Sequence, residues 1–170
     1  MKKSKIRNLT YIALFVSIMA AVAQLSIPIG AVPVSLVPLA VALSGYLLGI
    51  KGGVVATAVY ILLGCVGVPV FANFQGGFHM IVGYTCGFII GFIPFAALCG
   101  IRGRAYVEIP LGILGLLVCH LIGVIQYSCV LGVSILASLL VASLPFIIKD
   151  IFLTLCAYFI SKTLKKRLKI

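Results

Sequence analysis

The chain of 170 residues has two acids, Glu108 and Asp150, no tryptophan and only 9% charged residues, whereas a soluble globular domain carries about 25% charge. Together with 64% hydrophobic residues and a mean hydropathy of +1.34, this scarcity excludes a water-soluble single domain. Catalytic signatures are missing as well. No GxxxxGKS/T phosphate loop, HExxH or GxSxG occurs, so the chain carries no recognisable means of hydrolysing ATP and no metal or serine catalytic motif. It reads as a protein that is not an enzyme and whose energy, if any is needed, comes from elsewhere. The cysteines Cys65, Cys86, Cys99, Cys119, Cys129 and Cys156 lie in apolar stretches with no CxxC pair. That spacing supports neither a disulfide framework nor a metal knuckle, and no metal or cofactor is expected.

What the chain does have is a series of long apolar runs. Interrupting residues divide them into spans 9–27, 36–50, 54–70, 80–100, 111–131 and 146–161. Six membrane helices of roughly 20 residues use about 120 residues, which leaves little for an extramembrane domain. The expected fold is a single all-α integral membrane domain over residues 1–170, a compact bundle of six transmembrane helices. Ala23, Gln24 and Leu25 make a weak cleavage site and five apolar segments follow, so the first run reads as a retained span rather than a signal peptide.

The 13 bases give a net charge of +11, and their placement explains them without nucleic acid. If the spans alternate, Lys2, Lys3, Lys5, Arg7, Lys51, Arg102, Arg104, Lys162, Lys165, Lys166, Arg167 and Lys169 fall on one face. The positive-inside rule assigns that face to the cytoplasm, together with both termini. The C-terminal cluster reads as a topological anchor, or alternatively as a site for membrane lipid or a partner. Three uncharged connections fall on the other face. Pro28–Pro38 holds three prolines and cannot be one continuous helix; it is a candidate re-entrant loop or lid, with a plain tight loop as the alternative. The other two run from Val68 to His79 and from Gly132 to Pro145.

Small residues recur four apart at Ala13, Ser17 and Ala21, at Gly45, Gly49 and Gly53, and at Gly83, Gly87 and Gly91. Such ridges let helices approach closely, within the chain or, for the first span above all, against another subunit. Asp150 and Lys149 are the foremost candidates for function, because a charge at helix-centre depth costs on the order of 3 kcal/mol on insertion scales. Adjacent helical positions lie about 100° apart, so the two are expected to face different directions; the alternative is mutual neutralisation in the headgroup zone. Asn73, Phe74, Gln75, Gly76 and Gly77 combine amides, an aromatic ring and glycines that allow close backbone approach, which suits a neutral polar ring system or a bare turn. Tyr84 and Thr85, early in the fourth span, project hydroxyls toward the same place or serve packing. His79, His120 and Gln126 read as hydrogen-bonded bundle residues rather than metal ligands. On residues alone, a stand-alone ion-coupled secondary transporter using Asp150 and Lys149 and a thiol redox protein also remain open.

AQLSIPIGAVPVSLVPLAVALSGYLLGIKGG from Ala23 to Gly53, YILLGCVGVPVFANFQGG from Tyr60 to Gly77, GYTCGFIIGF from Gly83 to Phe92 and LPFIIKD from Leu144 to Asp150 closely resemble the BioY family, over nearly the whole chain. These are biotin-specific substrate-binding (S) components of energy-coupling-factor (ECF) transporters. The resemblance implies a six-helix component in the cell membrane of a prokaryote. It would capture biotin from outside and deliver it through a transmembrane coupling subunit, EcfT, and two ATPase subunits. It implies that Ala13, Ser17 and Ala21 contact the coupling subunit and that the Pro28–Pro38 loop gates the ligand. It further implies that Asp150 accepts hydrogen bonds from the ureido nitrogens and that Asn73 is a ligand contact, with Lys149, Gln75, Tyr84 and Thr85 following. The sequence departs from the family pattern in three places: Leu153 stands where a lysine is common, Val37-Pro38 replaces Gln-Thr, and Tyr84-Thr85-Cys86 replaces Pro-Thr-Gly.

Overall fold

A computed structural model describes residues 2–27 and 33–168. Helix α1 (Lys2–Ala23) leads into two-residue strands β1 (Ser26–Ile27) and β2 (Val34–Ser35), which pair antiparallel with Ser26 opposite Ser35. They form the stem of the proline-rich connection; residues 28–32, Pro28 included, lie outside the described residues. Helix α2 (Val37–Cys65), a 3-10 turn (Ala72–Phe74) and α3 (His79–Val82) follow, then α4 (Cys86–Cys99), α5 (Ala105–Leu131), α6 (Ile135–Ala142) and α7 (Leu144–Leu168). The protein is mostly helical. Lys5–Ala23, Val37–Cys65, Ala105–Leu131 and Leu144–Arg167 are long and apolar enough to cross a membrane, and Cys86–Cys99 is a shorter apolar helix.

The second and third expected spans both lie in α2, which breaks at Gly49, with φ 75° and ψ −179°. That left-handed φ is open to glycine and costly for other residues. Eight residues of straight helix measure about 12 Å, yet a Cβ on Gly53 would come within 2.8 Å of Gly45 Cα. The chain therefore doubles back at Gly49 into two limbs, 37–48 and 50–65. The second limb stops at Cys65 rather than Val70, because Gly67 takes a φ of 106° and Pro69 follows two residues on.

The fourth span begins at Cys86 rather than Met80. Extended backbone at Gly83 separates α3 from α4, so Tyr84 and Thr85 sit in a turn and not on the helix. The fifth begins earlier, at Ala105, and Glu108 in its first turn accepts from the Gly103 amide at 3.1 Å, a favourable place for a negative charge. The last span extends at both ends, to Leu144–Leu168. The connection before it holds a helix that hydropathy did not separate from its surroundings: α6, capped by Ser134 Oγ, which accepts from Ala137 N.

Two of the three small-residue ridges are filled by the chain itself. A Cβ on Gly45 would meet Ala96 O at 2.5 Å, one on Gly87 would meet Ile122 O at 2.5 Å, and one on Gly91 would meet Cys119 Cα at 2.9 Å. Such absences of side chain seat α4 against the first limb of α2 and against α5. Tyr46 and Tyr158, edge to face at 5.6 Å, share the core with Phe95, Leu116 and Met19. The third ridge differs. α1 packs chiefly on α2 through Phe15, Val16, Met19 and Ala23, while Ala13, Ser17 and Ala21 are exposed. Ser17 Oγ donates to Ala13 O at 3.0 Å, which satisfies the hydroxyl without a partner helix.

Overpacking a tight site costs about 1–3 kcal/mol, and two of the three atoms nearest a Cβ on Gly91, Cys119 Cα and O, are backbone that cannot swing aside. Gly91→Val is therefore expected to lower the stability of the purified protein by at least about that amount, read as a lower melting temperature in detergent.

Candidate functional site

A cavity of about 430 Å³ opens at the end of the bundle where the three uncharged connections meet, within the roughly 300–1,000 Å³ typical of small-molecule sites. Asp150, Lys149, Asn73, Gln75, Tyr84 and Thr85 all line it. The structure thus brings together, from α7, the 66–78 loop and the turn before α4, every ligand-site residue proposed from the sequence. His79 lines it too, and Pro33 and Ser35 reach it from the proline-rich connection.

Asp150 stands at the seventh position of α7, and its residue is 5% exposed. A carboxylate so enclosed requires donors in place of water. Lys149 Nζ donates to Asp150 Oδ1 and, at 2.7 Å, to Ser35 O. The two neighbours do pair, contrary to the expectation from helical angle, because the four-carbon lysine stem swings its ammonium across the angle that separates the Cβ atoms. On the other side, His120 Nε2 lies 3.3 Å from Asp150 Oδ2, and His120 Nδ1 hydrogen-bonds Ser143 Oγ at 2.9 Å. His120 is the residue that sequence separation concealed: thirty positions from Asp150, it reaches the acid from α5. The available signal was that an ionisable side chain inside a membrane span is itself a functional candidate.

The 66–78 loop is held in an unusual conformation. Asn73 and Phe74 both have left-handed φ, 58° and 57°, a form that asparagine tolerates better than phenylalanine. Gln24, just beyond α1, holds it: its Nε2 donates to Pro69 O at 3.3 Å and Phe71 O at 3.2 Å, and its Oε1 accepts from Phe74 N at 2.8 Å. Ser26 Oγ donates to Asn73 Oδ1 at 3.2 Å, which joins the loop to β1. Phe71 packs edge to face on Tyr60 over Gly64, where a Cβ would lie 2.1 Å from the ring. In the sequence Gln24 marks a weak cleavage site and belongs to the Ala23–Gly53 run; its reach across the fold leaves no local pattern.

The walls between the polar groups are apolar and aromatic, with Phe88, Ile89, Phe92, Leu116 and Phe146; the Phe88 ring stands edge-on to His120 at 5.8 Å. The cavity can therefore bury a ring and chain while a few groups at its rim read polar ends. Among the described residues no cluster of three or more His, Cys, Asp or Glu is placed to hold a metal, and the six cysteines are free.

An apolar helical bundle with a cavity at one end, lined mainly by apolar side chains around a few polar groups, defines a membrane-embedded small-molecule receptor or carrier. The chain belongs to the BioY family, which matches residues 1–170, in agreement with the resemblance carried by its motifs. A probable biotin transporter BioY of Pyrococcus horikoshii is 37% identical over 161 residues, covering 95% of this chain and 98% of that protein. The biotin transporter BioY of Thermotoga maritima is 35% identical over 164 residues, covering 94% and 96%. The crystal structure of an S-component for biotin from an ECF-type ABC transporter has a TM-score of 0.91 at 26% identity, covering 98% of this chain and 94% of that one. The family is one of transporter S components, not of enzymes.

The Gln24 hydrogen bonds to the loop are exposed or part-buried, where losing a hydrogen bond costs about 0.5–1.5 kcal/mol. Gln24→Leu is therefore expected to speed amide exchange of residues 71–77 by roughly 2- to 13-fold, the same energy expressed as an opening equilibrium, with exchange in α4 and α5 unchanged.

Proposed function

We propose that this chain is a biotin-binding S component that crosses the membrane six times with both termini in the cytoplasm and delivers biotin for ATP-driven uptake. Its partners in this reading are a transmembrane coupling subunit and two ATPase subunits. The six crossings are α1, the two limbs of α2, α4, α5 and α7. The observation that carries the proposal is the buried Asp150 carboxylate in an otherwise largely apolar cavity. Biotin couples a neutral ureido ring with two N–H donors to an apolar thiophane ring and valeryl chain. Asp150 accepts from the ureido N–H groups, the amides of Asn73 and Gln75 complement the polar edge, and the aromatic walls bury the remainder. Lys149 is the cation nearest the site, and Leu153, at the position of the family's common lysine, is buried in the helix below.

Two features support a partner-driven cycle. No phosphate-binding loop is present in the sequence, and Ala13, Ser17 and Ala21 present a small-residue face that is exposed among the described residues. Close helix approach across such a face is the ordinary means of association in a bilayer.

Calorimetric titration of the purified chain with biotin tests the proposal directly, since the absence of tryptophan removes the usual fluorescence readout. Nanomolar binding, about −12 kcal/mol, is expected, and Asp150→Ala should weaken it at least about tenfold, or 1.4 kcal/mol. Unchanged affinity in a folded variant overturns the role given to Asp150. Ser17→Leu should leave biotin affinity within about twofold and reduce uptake by proteoliposomes holding the partner subunits by at least about tenfold. Uptake by this chain alone under an ion gradient would instead favour a secondary transporter.

A further inference from the structure

At the end of the bundle opposite the ligand cavity, a second cleft of about 410 Å³ opens among α1, α2 and the α4–α5 connection. Three cations line it: Arg7 from α1, Lys51 from the start of the second limb of α2, and Arg102 from the connection. Tyr11 adds a hydroxyl, and Gly52 brings the first turn of the second limb to the same cleft, so the positive end of that helix dipole adds to the field. Arg102 reaches across the break in α2, its guanidinium 3.8–3.9 Å from where a Cβ on Gly49 would stand.

Among the described residues no side-chain carboxylate forms a salt bridge with these bases. Of its two acids, Asp150 is engaged by Lys149 and His120 at the far end. Glu108 is buried and accepts from the Gly103 amide, and among the described residues it forms no salt bridge. Three like charges gathered around one cleft repel each other unless an anion lies between them. The cleft is also not wholly polar: Val55, 45% exposed, continues its wall onto the outward face of α2. A ligand that places an anion among the bases and apolar chains along Val55 matches both halves.

We propose that this cleft is a binding site for the phosphate headgroup of an acidic phospholipid. The orientation argued above makes it a lipid of the cytoplasmic leaflet, but the site itself does not depend on the biotin reading. Bound lipid would seal the break in α2 to α1 and to the α4–α5 connection, three segments that meet at this cleft.

The test uses the full-length purified chain with phosphatidylglycerol, phosphatidylcholine or inorganic phosphate as probes, read by native mass spectrometry and by melting temperature. The cleft variant Lys51→Gln/Arg102→Gln is compared with Arg104→Gln/Lys166→Gln, which removes the same charge from exposed positions outside the cleft. Wild type and the latter variant should retain phosphatidylglycerol over phosphatidylcholine by about tenfold. The cleft variant should lose at least about fivefold of that preference. Arg7→Gln, at an exposed position of α1, should lose part of it and serves if the double variant does not fold. Equal loss in both double variants overturns the site in favour of general surface charge, and equal retention overturns it outright. Stabilisation by inorganic phosphate as large as that by phosphatidylglycerol assigns the cleft to a free anion. Unaltered lipid preference with failed assembly on the coupling subunit assigns it to a protein partner; either result overturns the lipid proposal.

Discussion

A carboxylate at membrane depth persists only where fixed donors stand in for water, and the ligand end of this protein is arranged around meeting that condition for Asp150. Lys149 supplies an ammonium from the adjacent residue and ties it to Ser35 of β2. His120 supplies a ring nitrogen from α5, and Ser143, between α6 and α7, orients the ring from behind. One buried charge thereby engages the proline-rich connection, the fifth helix and the apolar connection before α7. The 66–78 loop joins the same assembly by a different route, through Gln24 and Ser26. If the Asp150 network were replaced by apolar side chains, the helices would still pack and Gln24 and Ser26 would still hold the 66–78 loop, but the ties that run from α7 to Ser35 and to α5 would be lost.

Close helix packing and an open cavity compete for the same volume, and the glycines resolve the competition by position. Gly87 and Gly91 draw α4 onto α5, and Gly45 draws the first limb of α2 onto α4. Beside those contacts, Phe88, Ile89 and Phe92 turn larger side chains into the cavity. The same helix is thus narrow where it seals the bundle and bulky, with two aromatic rings, where it lines the cavity. At the other end the doubling back at Gly49 performs a comparable task, since a tight reversal places Lys51 and Gly52 beside Arg102 and opens a cationic cleft.

Hydropathy and breakers located the helical segments because burial in lipid demands long apolar runs and breaks at Gly and Pro. They also picked out Asp150, Lys149 and the Asn73–Gly77 loop, since polar groups are conspicuous against so apolar a chain. What they left unread was set by geometry at a distance. The helix α6 has the same apolar composition as the spans around it, so no contrast marked it. Gly83 gave no sign that it would detach Tyr84 and Thr85 from α4, because a glycine within an apolar run reads equally well as a packing residue. The pairing of His120 with Asp150 depends on how α5 lies against α7, and the grip of Gln24 on the loop crosses more than forty residues of sequence. The reach of Lys149 departs from the helical angle for a simpler reason: an angle between Cβ atoms does not bound where a flexible ammonium can go.

The network around Asp150 is satisfied but not closed. Lys149 is half-buried and divides its ammonium between a carboxylate and a backbone carbonyl, and the His120 contact is long, at 3.3 Å. Both can yield to a ligand that offers N–H donors without leaving the acid bare, since a carboxylate has about four acceptor positions. A ligand that competes for Lys149 also competes with Ser35, and so acts on the stem of the connection that borders the cavity. Occupancy at Asp150 and the position of that connection are therefore linked through one side chain, and by reciprocity any partner that moves the connection alters the affinity of the cavity. In the proposed transporter this linkage is what lets a receptor with no energy source of its own give up its ligand. In the same proposal, a partner seated on the exposed face of α1 would act through Gln24, one residue past the end of that helix, on the loop that carries Asn73.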